Sequence, residues 1–277
     1  MKLTALIEDS SEVEHRKELS EVEFLQLLKS KAKNSYLIAK QNPFFRQDHG
    51  PDLMLVSPEQ KEERSSFWVD KMLRTIPAWN KLPSRSRFIK GFTKYDRTFG
   101  GDDVYVMIPL DGTRIGISPK YSFYRSFVDF EKSLGFDKVD NKTFLDWLNL
   151  VETGLSLITD IKIKETSSET YSQFKKSLEQ IDSILNQVNR TILEKSLSSN
   201  QIISIDQAKV LKNLLSRHIT NTESYLAEKL DPEANGFYSS RIESFSKGSG
   251  DHEVWADSKC LLIKRSVYIE MNKKGLL

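Results

Sequence analysis

Three short stretches place, at one end of a strand-like apolar segment, a side chain that can do chemistry. They are Arg46 after Phe44-Phe45 in "NPFFRQDHGP", Thr93 in "GFTKYDRTFGG" and Glu253 in "DHEVWADSKCLLI". A guanidinium fork grips an anion bidentately. A hydroxyl orients its neighbours by hydrogen bonding, and a fixed carboxylate stabilises positive charge that develops beside it. Taken singly, each stretch has a plainer reading: a structural arginine, a turn, and a solvated glutamate at the start of a strand. Arg85 and Arg87 in "PSRSR" rival Arg46 as an anion contact. The chain carries no P-loop, no G-x-G-x-x-G, no H-E-x-x-H and no G-x-S-x-G. Its four histidines, His15, His49, His218 and His252, are too widely spread in sequence to suggest a metal site. Cys260 sits in an apolar run and reads as an inert core residue.

Together and in this order, the three stretches resemble the ADP-ribosyltransferase superfamily of the R–S–E type. In that family an arginine on the first core strand contacts the diphosphate and ribose of NAD. A Ser-Thr-Ser-like strand shapes the nicotinamide pocket, and a glutamate at the start of a late strand stabilises the ribosyl cation. The resemblance implies Glu253 as the catalytic acid, Arg46 on NAD, and Thr93 in the hydroxyl position. It also implies Phe92 and Phe99 against the nicotinamide and Asp251 as the acceptor-orienting residue, while Arg85, as a rival phosphate contact, is a further candidate for cofactor binding. Two positions depart from the pattern: Gly91 stands where the first small hydroxyl belongs, and Asp251 is one methylene shorter than the usual Glu or Gln. "WNKLPSRSR" is also loosely similar to phage-encoded members. The implied activity is NAD-dependent mono-ADP-ribosyl transfer to a macromolecular acceptor, a protein, by a phage- or toxin-like enzyme. The implied fold is α+β: a pair of small antiparallel sheets, N-terminal helices and a large helical insertion.

The elements that must position these residues fall into three regions, 1–121, 122–235 and 236–277. In the first, Ser20 and Glu23 form a capping box, and Phe24, Leu25, Leu28, Ala32 and Tyr36 follow at helical spacing. "SSFWVDKMLRTIPAW" reads as a second amphipathic helix, closed by Pro77. "SRFIKGFTKY" and "DVYVMIPL" read as strands, and "LDGTRIGI" as a hairpin turning at Asp111-Gly112. The middle region is helical. Tyr171, Phe174, Leu178, Ile181, Leu185, Val188 and Ile192 form a seam of alternating three- and four-residue steps. Ile205, Ala208, Leu211, Leu215, Ile219 and Leu226 supply its partner, so an intramolecular helical hairpin within a monomer is expected. In the last region, 236–252 reads as a long flexible loop, and the strands around Glu253 and Cys260 return to the first sheet.

Composition sets the outer bounds. Lys+Arg 41 against Asp+Glu 39 leaves a net charge of +2, which gives no case for nucleic acid or an anionic membrane surface. One cysteine excludes a disulfide within the chain. No segment approaches the roughly 20 apolar residues of a membrane span, and the opening residues do not read as a signal peptide. A cytoplasmic protein is the expectation. Two alternatives remain: a catalytically inactive relative acting as a scaffold, and a nucleic-acid binder using the basic and aromatic "RSRFIKGFTKYDR".

Overall fold

The computed structural model describes residues 14–58, 72–73, 75–85, 87–95, 104–127, 141–159, 171–187, 204–216, 221–246 and 250–277. The chain divides into two compact units. One holds Met1–Glu62, Ala78–Phe123 and Gly236–Leu277; the other holds Glu63–Pro77 and Tyr124–Asn235.

The first unit begins with β1 (Glu14–Glu18), α1 (Glu21–Lys31) and α2 (Lys33–Gln41). The capping box forms as read: the Ser20 hydroxyl accepts from the Glu23 amide, and the Glu23 carboxylate accepts from the Ser20 amide. Phe24, Leu28, Ala32 and Tyr36 are all buried, but the helix breaks at Ala32. The cause lies far away in sequence. Asp111 Oδ1 accepts from the Ser35 amide at 2.8 Å and Oδ2 from the Asn34 amide at 3.2 Å, capping a new helix from outside.

The strands β2 (Phe44–Gln47), β3 (Leu53–Pro58), β4 (Ile89–Phe92), β5 (Val104–Pro109), β6 (Arg114–Ile117), β7 (Tyr238–Arg241), β8 (Glu253–Ala256) and β9 (Cys260–Lys264) join β1 in one sheet. It has nine strands in the order β1-β3-β9-β5-β2-β4-β8-β6-β7, and every pairing is antiparallel. The mixed α+β class therefore holds, while the expected pair of small sheets does not: the ladder among the described residues is continuous. It is continuous by a narrow margin. β2 aligns along its whole length with β5, but meets β4 only at Phe45–Phe92. Beside that pair, Arg46 Nη1 bonds the Lys90 carbonyl at 3.1 Å, so a side chain takes over where the ladder stops.

The hairpin expected at Asp111-Gly112 is corrected in the same way. Gly112 does turn the chain, with φ of 80°, a left-handed value that suits glycine. The strands on either side never pair with each other. Both edges of β5 are taken by β2 and β9, so β6 is sent to the far half of the sheet, between β8 and β7. The stretch expected to be a flexible loop contains β7, an edge strand paired with β6.

Two apolar clusters cover the sheet. One gathers Phe44, Met54, Val56, Ile89, Tyr105, Met107, Ile115, Ile117, Val254, Ala256, Cys260 and Leu262 with Ile242 and Phe245. The other joins Leu53, Val106, Ile108, Leu261 and Ile263 to α1, α2 and α7 (Arg265–Lys273). Paired strands with a buried residue on each face read as near-continuous apolar runs, which is why β5 and β9 were visible in sequence.

The second unit contains α3 (Asn141–Thr159), α4 (Tyr171–Gln187), α5 (Ile205–Ser216) and α6 (Thr222–Lys229). Phe174, Leu178, Ile181 and Leu185 are buried along α4, as the seam requires. Val188, Ile192 and Ile219 lie outside the described residues. The expected partner stretch is split into two helices: α4 packs chiefly on the second, α6, which carries Leu226, and on α3, whereas α5 packs on α3. Gly154 permits the second contact, because a Cβ there would lie 2.7 Å from Leu211 Cδ1. Val210, Leu211, Leu214 and Leu215 form the buried face of α5, and Ile205 is exposed. The amphipathic helix expected before Pro77 falls largely on residues outside those described.

Candidate functional site

Glu253 is the first residue of β8, and its backbone is fixed before its side chain is considered. Its amide donates to the Lys120 carbonyl at 3.0 Å and to Ser118 Oγ at 3.1 Å, and its carbonyl accepts from the Ser118 amide at 2.9 Å. The carboxylate is then held at both oxygens. Oε1 accepts from Arg85 Nη1 at 3.1 Å, and Oε2 accepts from the Phe123 amide at 3.1 Å. Both charged side chains are buried, with relative exposures of 6% for Arg85 and 7% for Glu253. A buried carboxylate is tolerated when an opposite charge and further donors surround it, as they do here.

The guanidinium carbon of Arg85 lies 3.7 Å from the ring centre of Phe123, 4.0 Å from Phe88 and 5.2 Å from Trp255. A planar cation over aromatic faces gains the attraction of the ring quadrupole. Trp255 shares a face with Glu253 because it stands two residues along the same strand. Its indole lies flat over β6 at Gly116, where a Cβ would come within 2.1 Å of the ring, and its Nε1–H donates to the Pro83 carbonyl at 3.0 Å. Phe123 packs in turn against Trp79, Phe237 and Trp255.

The register decides which predicted residues meet. Cross-strand partners share a face and successive residues alternate. Phe45, Phe92 and Glu253 form one row across β2, β4 and β8, on one face. Arg46 therefore points to the opposite face, with Phe44. There its Nε donates to Asp48 Oδ2 at 2.8 Å, and Asp48 Oδ1 also meets Arg16 Nη1 at 2.7 Å. Arg46 and Glu253 are not brought together; Arg85 and Glu253 are.

Thr93 lies beside the site in a bracing position. Its amide donates to the His252 carbonyl at 3.0 Å, and its hydroxyl accepts from the His252 amide at 2.9 Å, so it fixes the residue before Glu253. Phe92 stacks on Tyr121 with ring centres 4.7 Å apart and planes at 25°. Asp251 pairs with Lys94 at 2.9 Å at the surface. Arg87 is exposed. Phe99 lies outside the described residues.

His252, one of four histidines too scattered in sequence to point to a site, is buried at 8% exposure. Its Nδ1 lies 2.9 Å from the Ser118 carbonyl. A carbonyl only accepts, so Nδ1 carries the proton, and Nε2 has no hydrogen-bond partner among the described residues. Phe88, Phe123 and Ser118 also escaped the sequence reading. For Trp255 a signal existed in its i, i+2 relation to Glu253. For Phe123 there was none, since its amide and its ring reach Glu253 and Arg85 from a distant part of the chain.

Among the described residues, no group of three His, Cys, Asp or Glu gathers where a metal ion could sit. No described helix is long and apolar enough to cross a membrane. What the arrangement offers chemically is an oriented carboxylate, a planar cation and an aromatic wall. No family model, no curated protein and no solved structure matches this chain.

Proposed function

We propose that the chain is an NAD-dependent mono-ADP-ribosyltransferase of the R–S–E type, modifying a macromolecular acceptor, a protein, in the cytoplasm. The observation that carries this reading is adjacency. The strands bearing Arg46, Gly91-Phe92-Thr93 and Glu253 are consecutive neighbours, β2-β4-β8, although they come from distant parts of the chain. NAD would supply the ADP-ribosyl group, its ribose gathering positive charge as the bond to nicotinamide breaks. Glu253 is suited to stabilise that charge, because two donors fix its carboxylate before any ligand arrives. In this reading Arg85 holds the carboxylate while no cofactor is bound, Thr93 braces the strand end, and Phe92 with Tyr121 offers an aromatic surface. Arg46, held by Asp48, ties the end of β2 rather than reaching Glu253. Asp251 would meet the acceptor at the surface.

The test pairs the protein with its Glu253→Gln variant, each incubated with labelled NAD and a bacterial lysate. Label on a discrete band, absent with the variant, is the expected result. Nicotinamide released without a labelled band would make the activity NAD hydrolysis. With neither product, and no thermal shift on adding NAD, the reading is abandoned.

A second reading has its own observation. Both Glu253 oxygens already have donors, and Arg46 faces the other side of the sheet. A catalytically silent relative, with the sheet as a scaffold, would look the same. Stable association with a partner, without NAD binding, is its signature.

A further inference from the structure

We propose that Phe88, Phe123, Trp255 and the Glu253 carboxylate form a binding site for a planar cation, and that the chain fills this site with its own Arg85. The resident guanidinium makes the contacts that such a ligand would make: three aromatic rings within 5.2 Å of its centre and one carboxylate at 3.1 Å. The walls are built without it. Trp255 is seated by Gly116 and the Pro83 carbonyl, Phe123 is packed on Trp79 and Phe237, and the Phe123 amide holds Oε2 of Glu253. Arg85, by contrast, comes from irregular chain before β4, where the Ser84 amide is tethered to Asp257 Oδ2 at 3.0 Å. Exchange of the occupant breaks no strand pairing.

The consequence is self-occupancy. An external planar cation must compete with Arg85, so the site is closed until that side chain is withdrawn. The nicotinamide ring of NAD is a cation of this class, a pyridinium. Only this identification of the external cation rests on the function proposed above; the cation site itself does not.

The experiment uses the full chain carrying Arg85→Ala, with guanidinium chloride and 1-methylnicotinamide as probes at low millimolar concentration. Sodium chloride at equal ionic strength is the control. Melting temperature and tryptophan emission are read. Both probes are expected to stabilise the variant saturably and to bind it roughly tenfold or more tighter than the wild type. Adding Glu253→Gln to Arg85→Ala should remove most of that gain. If Arg85→Ala does not fold alone, recovery of its fold by guanidinium supports the site, and Arg85→Gln serves for the titrations. A folded Arg85→Ala or Arg85→Gln variant indifferent to guanidinium overturns the proposal. Guanidinium binding without 1-methylnicotinamide binding upholds the cation site and counts against the NAD reading.

Discussion

Gly116 and Trp255 are cross-strand partners in β6 and β8, and the indole of Trp255 lies where the side chain of residue 116 would be. A Cβ at Gly116 would stand 2.1 Å from the ring. The indole cannot retreat easily, because its Nε1–H is bonded to the Pro83 carbonyl. Gly116→Ala is expected to cost about 1–3 kcal/mol through overpacking. Urea unfolding measures this, and tryptophan emission reports the displaced indole. Stability equal to the wild type would show that the ring has room to move.

The Arg85–Glu253 pair calls for a double-mutant cycle. Removing one member, as in Glu253→Ala, leaves a buried charge and is expected to cost about 3–5 kcal/mol. Glu253→Gln should cost less, because the amide oxygen still accepts from Arg85. Arg85→Met with Glu253→Gln should be milder than the sum of the single changes, since no charge is stranded. Additive effects in denaturant unfolding would mean that the two side chains are not coupled.

Arg46 separates two roles. As a brace, it holds Asp48 together with Arg16, so Arg46→Ala and Asp48→Asn should both lower the melting temperature while leaving the KM for NAD in the proposed reaction unchanged. As a diphosphate contact, Arg46→Ala should instead raise that KM. The register favours the brace. Steady-state kinetics beside a thermal melt distinguish the two.

Tyr36 gives a prediction in pH. Its hydroxyl donates to Asn272 Oδ1 at 3.2 Å, and burial, with a smaller contribution from Tyr268, pushes its pKa from 10.0 up to about 12. The folded state thus resists ionisation more than the unfolded state does. Its contribution to stability is full below pH 10 and is lost as pH rises towards about 12. Tyr36→Phe should flatten that part of the stability profile. A tyrosinate absorbance titration, run beside melts across the same range, checks it.

Local chemistry was legible in the sequence and long-range pairing was not. The Ser20–Glu23 capping box needs only residues three apart, and it forms as expected. The apolar runs of β5 and β9 declare themselves because both faces are buried. The break at Ala32 has no glycine or proline to announce it, and depends on Asp111 arriving from a distant turn. That same turn suggested a hairpin, since Asp-Gly is a hairpin signal; pairing was decided by β9 instead. β7, "YSSR", is a polar edge strand with no β-branched residue, and it reads as loop. At the site, Glu253 and the strands around it could be named from types and order. The face on which Arg46 lands could not, because a shift of one residue in register reverses it.

The strands made last, β8 and β9, lie inside the sheet rather than at its edge. β8 separates β4 from β6, and β9 separates β3 from β5. On the ribosome, then, four earlier strands wait with open edges until residue 264 has emerged. Neither apolar cluster can close before that, because each draws residues from β9. Such exposed edges invite pairing with other chains. A nascent chain stalled before Glu253 would therefore carry the aggregation risk of the whole sheet without its carboxylate, so folding of this unit and completion of its candidate site fall at the same moment of synthesis.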